Sequence, residues 1–143
     1  FRMIAPYGDF YLRDGDAPCI WVGGGSGLSP FMGMLQDLMD RGERRRVHLF
    51  FGAVNPKDLY YVDLLNDIAK NHDWFTFTPA LSGGERCDSC HDYGLITEVV
   101  DRHVADARGA EGYLCVGPCM IGACIKLLTE KGMNRENIFY DRF

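Results

Sequence analysis

Cys19-Ile20-Trp21-Val22-Gly23-Gly24-Gly25-Ser26-Gly27-Leu28-Ser29-Pro30 governs how the rest of the chain is read. The apolar run Cys19–Val22 is bounded by glycines and reads as a buried strand. Ser29 offers a helix N-cap and Pro30 the first helical position. Phe31, Met34, Leu35, Leu38 and Met39 then recur at helical spacing down to Gly42. Small residues between strand and helix let the backbone turn tightly and approach a ligand closely. The N–H groups that open the helix can hold a phosphate. No Gly-Lys-Ser/Thr follows, so this is not a Walker A loop. Gly23, Gly25 and Gly27 also miss the final spacing of GxGxxG. A turn that merely lets strand and helix pack is the plain alternative.

The same alternation continues outward. Val47–Phe51, ended by Gly52, reads as a second strand. Asn55-Pro56 opens a helix whose apolar face is Leu59, Tyr60, Val62, Leu64, Leu65 and Ile68, running to about His72. Trp74–Thr78 is rich in aromatic and β-branched residues and reads as a third strand. A polar, glycine-rich loop covers Ser82 to Asp92. A helix follows over roughly Leu95 to Asp106, then a strand over Gly112–Val116. The last helix covers roughly Met120 to Lys131 and stops at Gly132, before a final strand, Asn137–Tyr140. Strands and helices alternate with no hairpin signal between them. The expected fold is α/β, a five-stranded parallel sheet with helices on both faces. Residues 1–17 read as a lead-in around the turn Pro6-Tyr7-Gly8-Asp9, and residues 18–143 as the domain itself.

At 143 residues the chain is one domain's worth. Its net charge of −5 disfavours sequence-blind binding to nucleic acid. No apolar run approaches the roughly 20 residues that cross a bilayer, and no signal peptide is evident, so neither nucleic acid nor membrane is an expected partner. The first residue is Phe1, which reads as a processed end or a fragment. The chain is too large and apolar to need a disulfide scaffold for its six cysteines. Cys19 and Cys115 sit in strand-like runs, where a thiol acts as a small hydrophobe. The expected compartment is reducing and cytoplasmic.

Cys87-Asp88-Ser89-Cys90-His91 formally matches the attachment pattern of c-type haem, and the same residues could serve zinc or a redox pair. Haem would need export and a cavity that a parallel α/β sheet does not offer. A structural zinc site lacks its second Cys-x-x-Cys. No metal is therefore expected, and the motif reads as a surface-loop disulfide or as chance. His72 reads as a helix-end residue, and His48 and His103 as element-face residues. Arg41, Arg44, Arg45 and Arg46 read as a solvated loop that could face an acidic partner.

Four segments in order carry a resemblance. They are Ala5-Pro6-Tyr7-Gly8-Asp9-Phe10, the glycine loop with Leu28-Ser29-Pro30, Tyr113-Leu114-Cys115-Val116-Gly117-Pro118-Cys119-Met120, and Asn137-Ile138-Phe139-Tyr140-Asp141-Arg142-Phe143. Together they resemble the pyridine-nucleotide-binding half of the ferredoxin–NADP reductase superfamily. Asp58-Leu59-Tyr60-Tyr61 and the aromatic C-terminus are most like the reductase components of bacterial multicomponent monooxygenases of the phenol, toluene, alkene and methane hydroxylase type. The resemblance implies strand order 3-2-1-4-5. It implies NADH as hydride donor, FAD in the full-length protein and a [2Fe–2S] centre in a missing domain. Missing FAD-binding and ferredoxin-like domains and a monooxygenase hydroxylase component are the partners it implies. Residues 1–17 would be the C-terminal end of the flavin-binding barrel with its linker. No Cys-x4-Cys-x2-Cys cluster spacing occurs in the sequence, so the chain reads as a fragment, not a competent reductase alone.

The resemblance also implies residue roles. Cys115 would be the catalytic residue, beside the nicotinamide C4. Gly24, Gly25, Ser26, Gly27 and Pro30 would face the nicotinamide side and the pyrophosphate. Gly117, Pro118 and Met120 belong to the family's Cys-Gly-Pro-Pro-type loop, from which Val116 and Gly117 depart. Asn55 and Lys57 lie in the adenosine loop; with Lys57 its lone basic side chain, NADH is favoured over NADPH. Phe143 would cover the flavin ring, and Pro6, Tyr7 and Gly8 would lie at the flavin-facing junction. Another function stays open: a non-catalytic nucleotide- or phosphate-sensing module on the same sheet, needing neither Cys115 nor the terminal aromatic.

Overall fold

The computed structural model describes residues 17–24, 29–42, 45–53, 62–81, 92–93, 96–116 and 118–141. Its elements are β1 (Cys19–Gly24), α1 (Ser29–Arg41), β2 (Val47–Ala53), α2 (Val62–Asn71), β3 (Phe75–Leu81), β4 (Asp92–Tyr93), α3 (Ile96–His103), β5 (Glu111–Cys115), α4 (Pro118–Glu130) and β6 (Ile138–Asp141). The strands form one sheet in the order β4-β3-β2-β1-β5-β6, and every pairing is parallel. The five expected strands are present in the expected order. The sheet adds β4, which pairs Ala80 with Asp92 and Leu81 with Tyr93 and starts at the last residue of the stretch that composition marks as a loop.

Side chains alternate across a strand, so β1 feeds two cores. Cys19 and Trp21 pack on one face with Phe31, Leu35 and Leu38 of α1 and Leu65 of α2. Ile20 and Val22 pack on the other, with Ile96, Val99 and Val100 of α3 and Ile121, Cys124 and Leu128 of α4. Both faces of the central strand are dry, which is why its sequence is continuously apolar instead of alternating. Trp21 stacks on Phe31 with ring centroids 5.3 Å apart. Fully burying a side chain of this size contributes about 1.5–3 kcal/mol.

Three element ends differ from expectation for local reasons. β3 continues through Pro79, which punctuates the sequence; at Pro79 the strand pairs only with β2, the setting in which a sheet tolerates proline. Helix α4 begins two residues before Met120 because Pro118 occupies its first turn, where a missing N–H costs nothing. α3 ends at His103, and the chain after it turns on Asp106, whose side chain accepts the Arg108 N–H at 3.0 Å. The end of α4 follows the glycine signal: Gly132 has φ +102°, its N–H bonds the Thr129 carbonyl, and the Met133 N–H bonds the Leu128 carbonyl, both at 3.1 Å. That pair of bonds is the Schellman arrangement, and its left-handed residue favours glycine.

Candidate functional site at the carboxyl edge

The sheet reverses direction of growth at β1. The chain passes from β1 to β2 on one side and later crosses to β5 on the other. A crevice opens at such a switch point, outside the carboxyl ends of the two diverging strands. Gly23 pairs with Cys115 there, and Gly24 pairs with Gly52. Helices α1 and α4 start just beyond these strand ends, at Ser29 and Pro118. Their first turns bring unpaired N–H groups and partial positive charge to this edge.

Two glycines at this edge have different reasons. A Cβ on Gly52 would lie 3.2 Å from the Cβ of Ile96, so the close approach of α3 makes any larger residue at 52 a tight fit. Among the described residues, a Cβ on Gly24 would meet ordinary contacts, 3.5 Å to Val116 Cγ1 and 3.6 Å to the Gly52 carbonyl. Nor does Gly24 have a left-handed φ. Neither packing against the described residues nor backbone conformation demands glycine at 24. A bare backbone at the mouth of the crevice suits a ligand that approaches the main chain closely. The residues present therefore fit a dinucleotide.

Cys115 ends β5 beside Gly23, with 1% of its surface exposed, in the α1-facing core with Trp21, Phe31 and Tyr113. Val116 turns to the opposite face and packs among α3 and α4. It departs from the family loop as a core side chain. Met120 is half-buried against that second core, so the sheet separates it from Cys115. Pro30 and Pro118 lie in the first turns of α1 and α4. Gly25, Ser26, Gly27, Asn55, Lys57, Gly117, Phe143, Pro6, Tyr7 and Gly8 lie outside the described residues, as do Cys87, Cys90 and His91.

The opposite, amino edge holds a polar cluster that composition did not suggest. Arg45, expected in a solvated loop, is 5% exposed. That expectation is corrected: Arg45 Nη2 pairs with Glu111 Oε1, and Nε donates to the Ala17 carbonyl at 2.7 Å. The Tyr113 hydroxyl donates to the same Glu111 oxygen at 2.8 Å. Its neighbour Arg46 is exposed, and Arg41 makes an exposed ion pair with Asp37 at 3.0 Å. The one available signal was Arg45's place two residues before a buried strand, opposite a lone acid opening β5. Burial pushes the Cys19 thiol up to about 12 despite the pull of Arg45 downward, with Glu111 adding to the rise. Burial alone does the same to Cys124. Both are inert, protonated thiols at neutral pH.

On the α3 side, His48 Nε2 and Thr78 Oγ1 share a hydrogen bond of 2.7 Å. The imidazole stacks on Phe50 at 4.0 Å and meets the edge of His103 at 5.9 Å. Burial, with His103 beside it, pushes His48 down to about 4.

Comparison with known proteins agrees with this geometry. The oxidoreductase NAD-binding domain family matches residues 21–126. The reductase component of propane 2-monooxygenase from Rhodococcus jostii is 36% identical over 148 residues, which cover 99% of this chain and 40% of that protein. The reductase component of phenol 2-monooxygenase from a Pseudomonas species is 37% identical over 146 residues, 99% of this chain and 41% of that one. The solved ferredoxin reductase of carbazole 1,9a-dioxygenase superposes with a TM-score of 0.78 at 27% identity, over 95% of this chain and 41% of that one. The chain thus spans about two-fifths of the length of these relatives. With a switch-point crevice, a glycine kept free of packing duty and a match along most of its length, the chain belongs to the oxidoreductase NAD-binding domain family, within the ferredoxin reductase superfamily and close to the reductase components of monooxygenases.

Proposed function

We propose that this chain is the NADH-binding domain of a cytoplasmic, flavin-dependent electron-transfer reductase. In the full-length protein electrons would pass from NADH through FAD and a [2Fe–2S] centre to the hydroxylase component of a monooxygenase. The observation that carries the reading is the pairing of Gly23 with Cys115, next to an unconstrained Gly24, at the switch point of the sheet. The names of the propane and phenol monooxygenase relatives support the partner. Buried thiols at Cys19, Cys115 and Cys124 suit a reducing compartment.

When bound, the nicotinamide supplies a hydride and the flavin accepts it. This chain's part is binding and orientation. The backbone at Gly24, Gly25, Ser26 and Gly27 and the first turns of α1 at Pro30 and α4 at Pro118 would receive the pyrophosphate and nicotinamide amide. Gly117 and Met120 would line the second loop. Asn55 and Lys57 would meet the adenosine, with too little positive charge to favour a 2′-phosphate. Cys115, buried beside Gly23, would support the nicotinamide at the floor of the crevice. Phe143, Pro6, Tyr7 and Gly8 would meet the flavin. Hydride transfer is steep in distance, so a small displacement is costly. In the full-length flavoprotein, Cys115→Ala is expected to slow anaerobic flavin reduction at saturating NADH by roughly 10- to 100-fold. Stopped-flow absorbance of the flavin measures that step. A parental rate, or a loss explained by melting, would make Cys115 a core residue only.

A further inference from the structure

The ion pair at the amino edge plays no part in the nicotinamide crevice, and it sits where the chain turns into β1. Arg45 donates from Nε to the Ala17 carbonyl and from Nη2 to Glu111, whose carboxylate also accepts from Tyr113. Backbone bonds run alongside: the Cys19 N–H to the Arg46 carbonyl and the Glu111 N–H to the Pro18 carbonyl, both 2.8 Å. One buried cation thus joins the approach to β1, the start of β2 and the start of β5. β1 already pairs with β2 along its full length and with β5 from Cys19 to Gly23, so its register does not need the cation. A buried pair gains little over apolar side chains of the same volume. What this one adds is a fixed position for the Ala17 carbonyl, which among the described residues belongs to no ladder. Arginine suits the task because its planar fork holds two acceptors at a set angle, which an ammonium cannot do.

We infer that Arg45 is a positioning residue. It clasps Ala17 to Glu111 and so fixes the direction from which the preceding flavin-bearing part of the protein meets this domain. The inference rests on the reading of this chain as the NADH-binding domain of a flavoprotein. The clasp acts at a distance: it sets how the flavin is presented to the crevice at the far edge of the sheet.

The test uses the full-length, FAD-loaded protein with Arg45→Lys, and a triple variant, Arg45→Met, Glu111→Leu and Tyr113→Phe, that removes the polar partners together. The triple variant leaves no unpaired carboxylate and is the one expected to fold if the lysine variant does not. Amide hydrogen exchange at Cys19 and Glu111 is expected to quicken about tenfold in either folded variant, because the approach to β1 is loosened. Flavin reduction at saturating NADH is expected to fall about 10-fold or more, while the dissociation constant for NADH stays within about threefold. That split separates domain placement from nucleotide binding. A folded variant that reduces flavin at the parental rate would overturn the inference. So would a rate loss without a change in exchange at Cys19 and Glu111. If the parent itself is not reduced by NADH, the functional reading falls and the clasp's role with it.

Discussion

Arg45→Ala is expected to cost this domain about 3–5 kcal/mol of folding stability, the range found when one member of a buried ion pair is removed. The cause is the carboxylate left behind. Glu111 has 16% of its side chain exposed, so water replaces the guanidinium poorly. The Ala17 carbonyl loses its 2.7 Å donor in the same change. Chemical denaturation at neutral pH measures the loss as a lower midpoint at unchanged slope. Arg45→Met with Glu111→Leu should recover most of it, because no charge is then stranded. A single variant within about 1 kcal/mol of the parent would show that the pair is solvated, contrary to the burial described above.

His48 should make the fold sensitive to mild acid. Its imidazole takes a proton at about 4 in the native chain and at 6.5 ordinarily. Between those values the unfolded chain binds more protons, so stability falls as the pH drops from 6.5 to 4. The contribution is fully present above 6.5. The shift corresponds to a loss on the order of 3 kcal/mol across that window. Histidine at this position is held neutral by burial, and the Thr78 hydroxyl accompanies it at 2.7 Å. His48→Gln keeps a polar group near Thr78 and cannot titrate. Stability measured from pH 7.5 to 4 should lose most of its slope between 6.5 and 4 in that variant. An equal slope in parent and variant would place the acid sensitivity elsewhere.

The architecture was largely legible in the sequence because each central strand is buried on both faces. Cys19–Val22 is a continuous apolar run, Val47–Phe51 is apolar but for His48, and the helices carry clear stripes and stops such as Gly42 and Gly132. The meeting of Gly23 with Cys115 at the carboxyl ends of β1 and β5 follows from the strand order. What escaped has a common physical origin. Arg45 is a charged residue in a run of arginines, and its burial depends on Glu111, 66 residues away. No local pattern reports such a partner. β4 has two residues and no hydrophobic period. Val116 departs from the family loop in sequence, and its side chain belongs to the α3–α4 core. Met120 fell in the family loop by sequence but packs on the face opposite Cys115, because it lies in α4, the helix that covers that face.

The central claim places NADH at the carboxyl ends of β1 and β5. Titrating the isotopically labelled full-length protein with NADH, and following backbone amide resonances, tests it most directly. The expected result is saturable movement of the Gly23, Gly24, Cys115 and Val116 signals, with Cys19 and Glu111 at the other edge of the sheet unmoved. Saturable shifts confined to the amino edge, or none at these four residues under NADH concentrations that reduce the flavin, would contradict it.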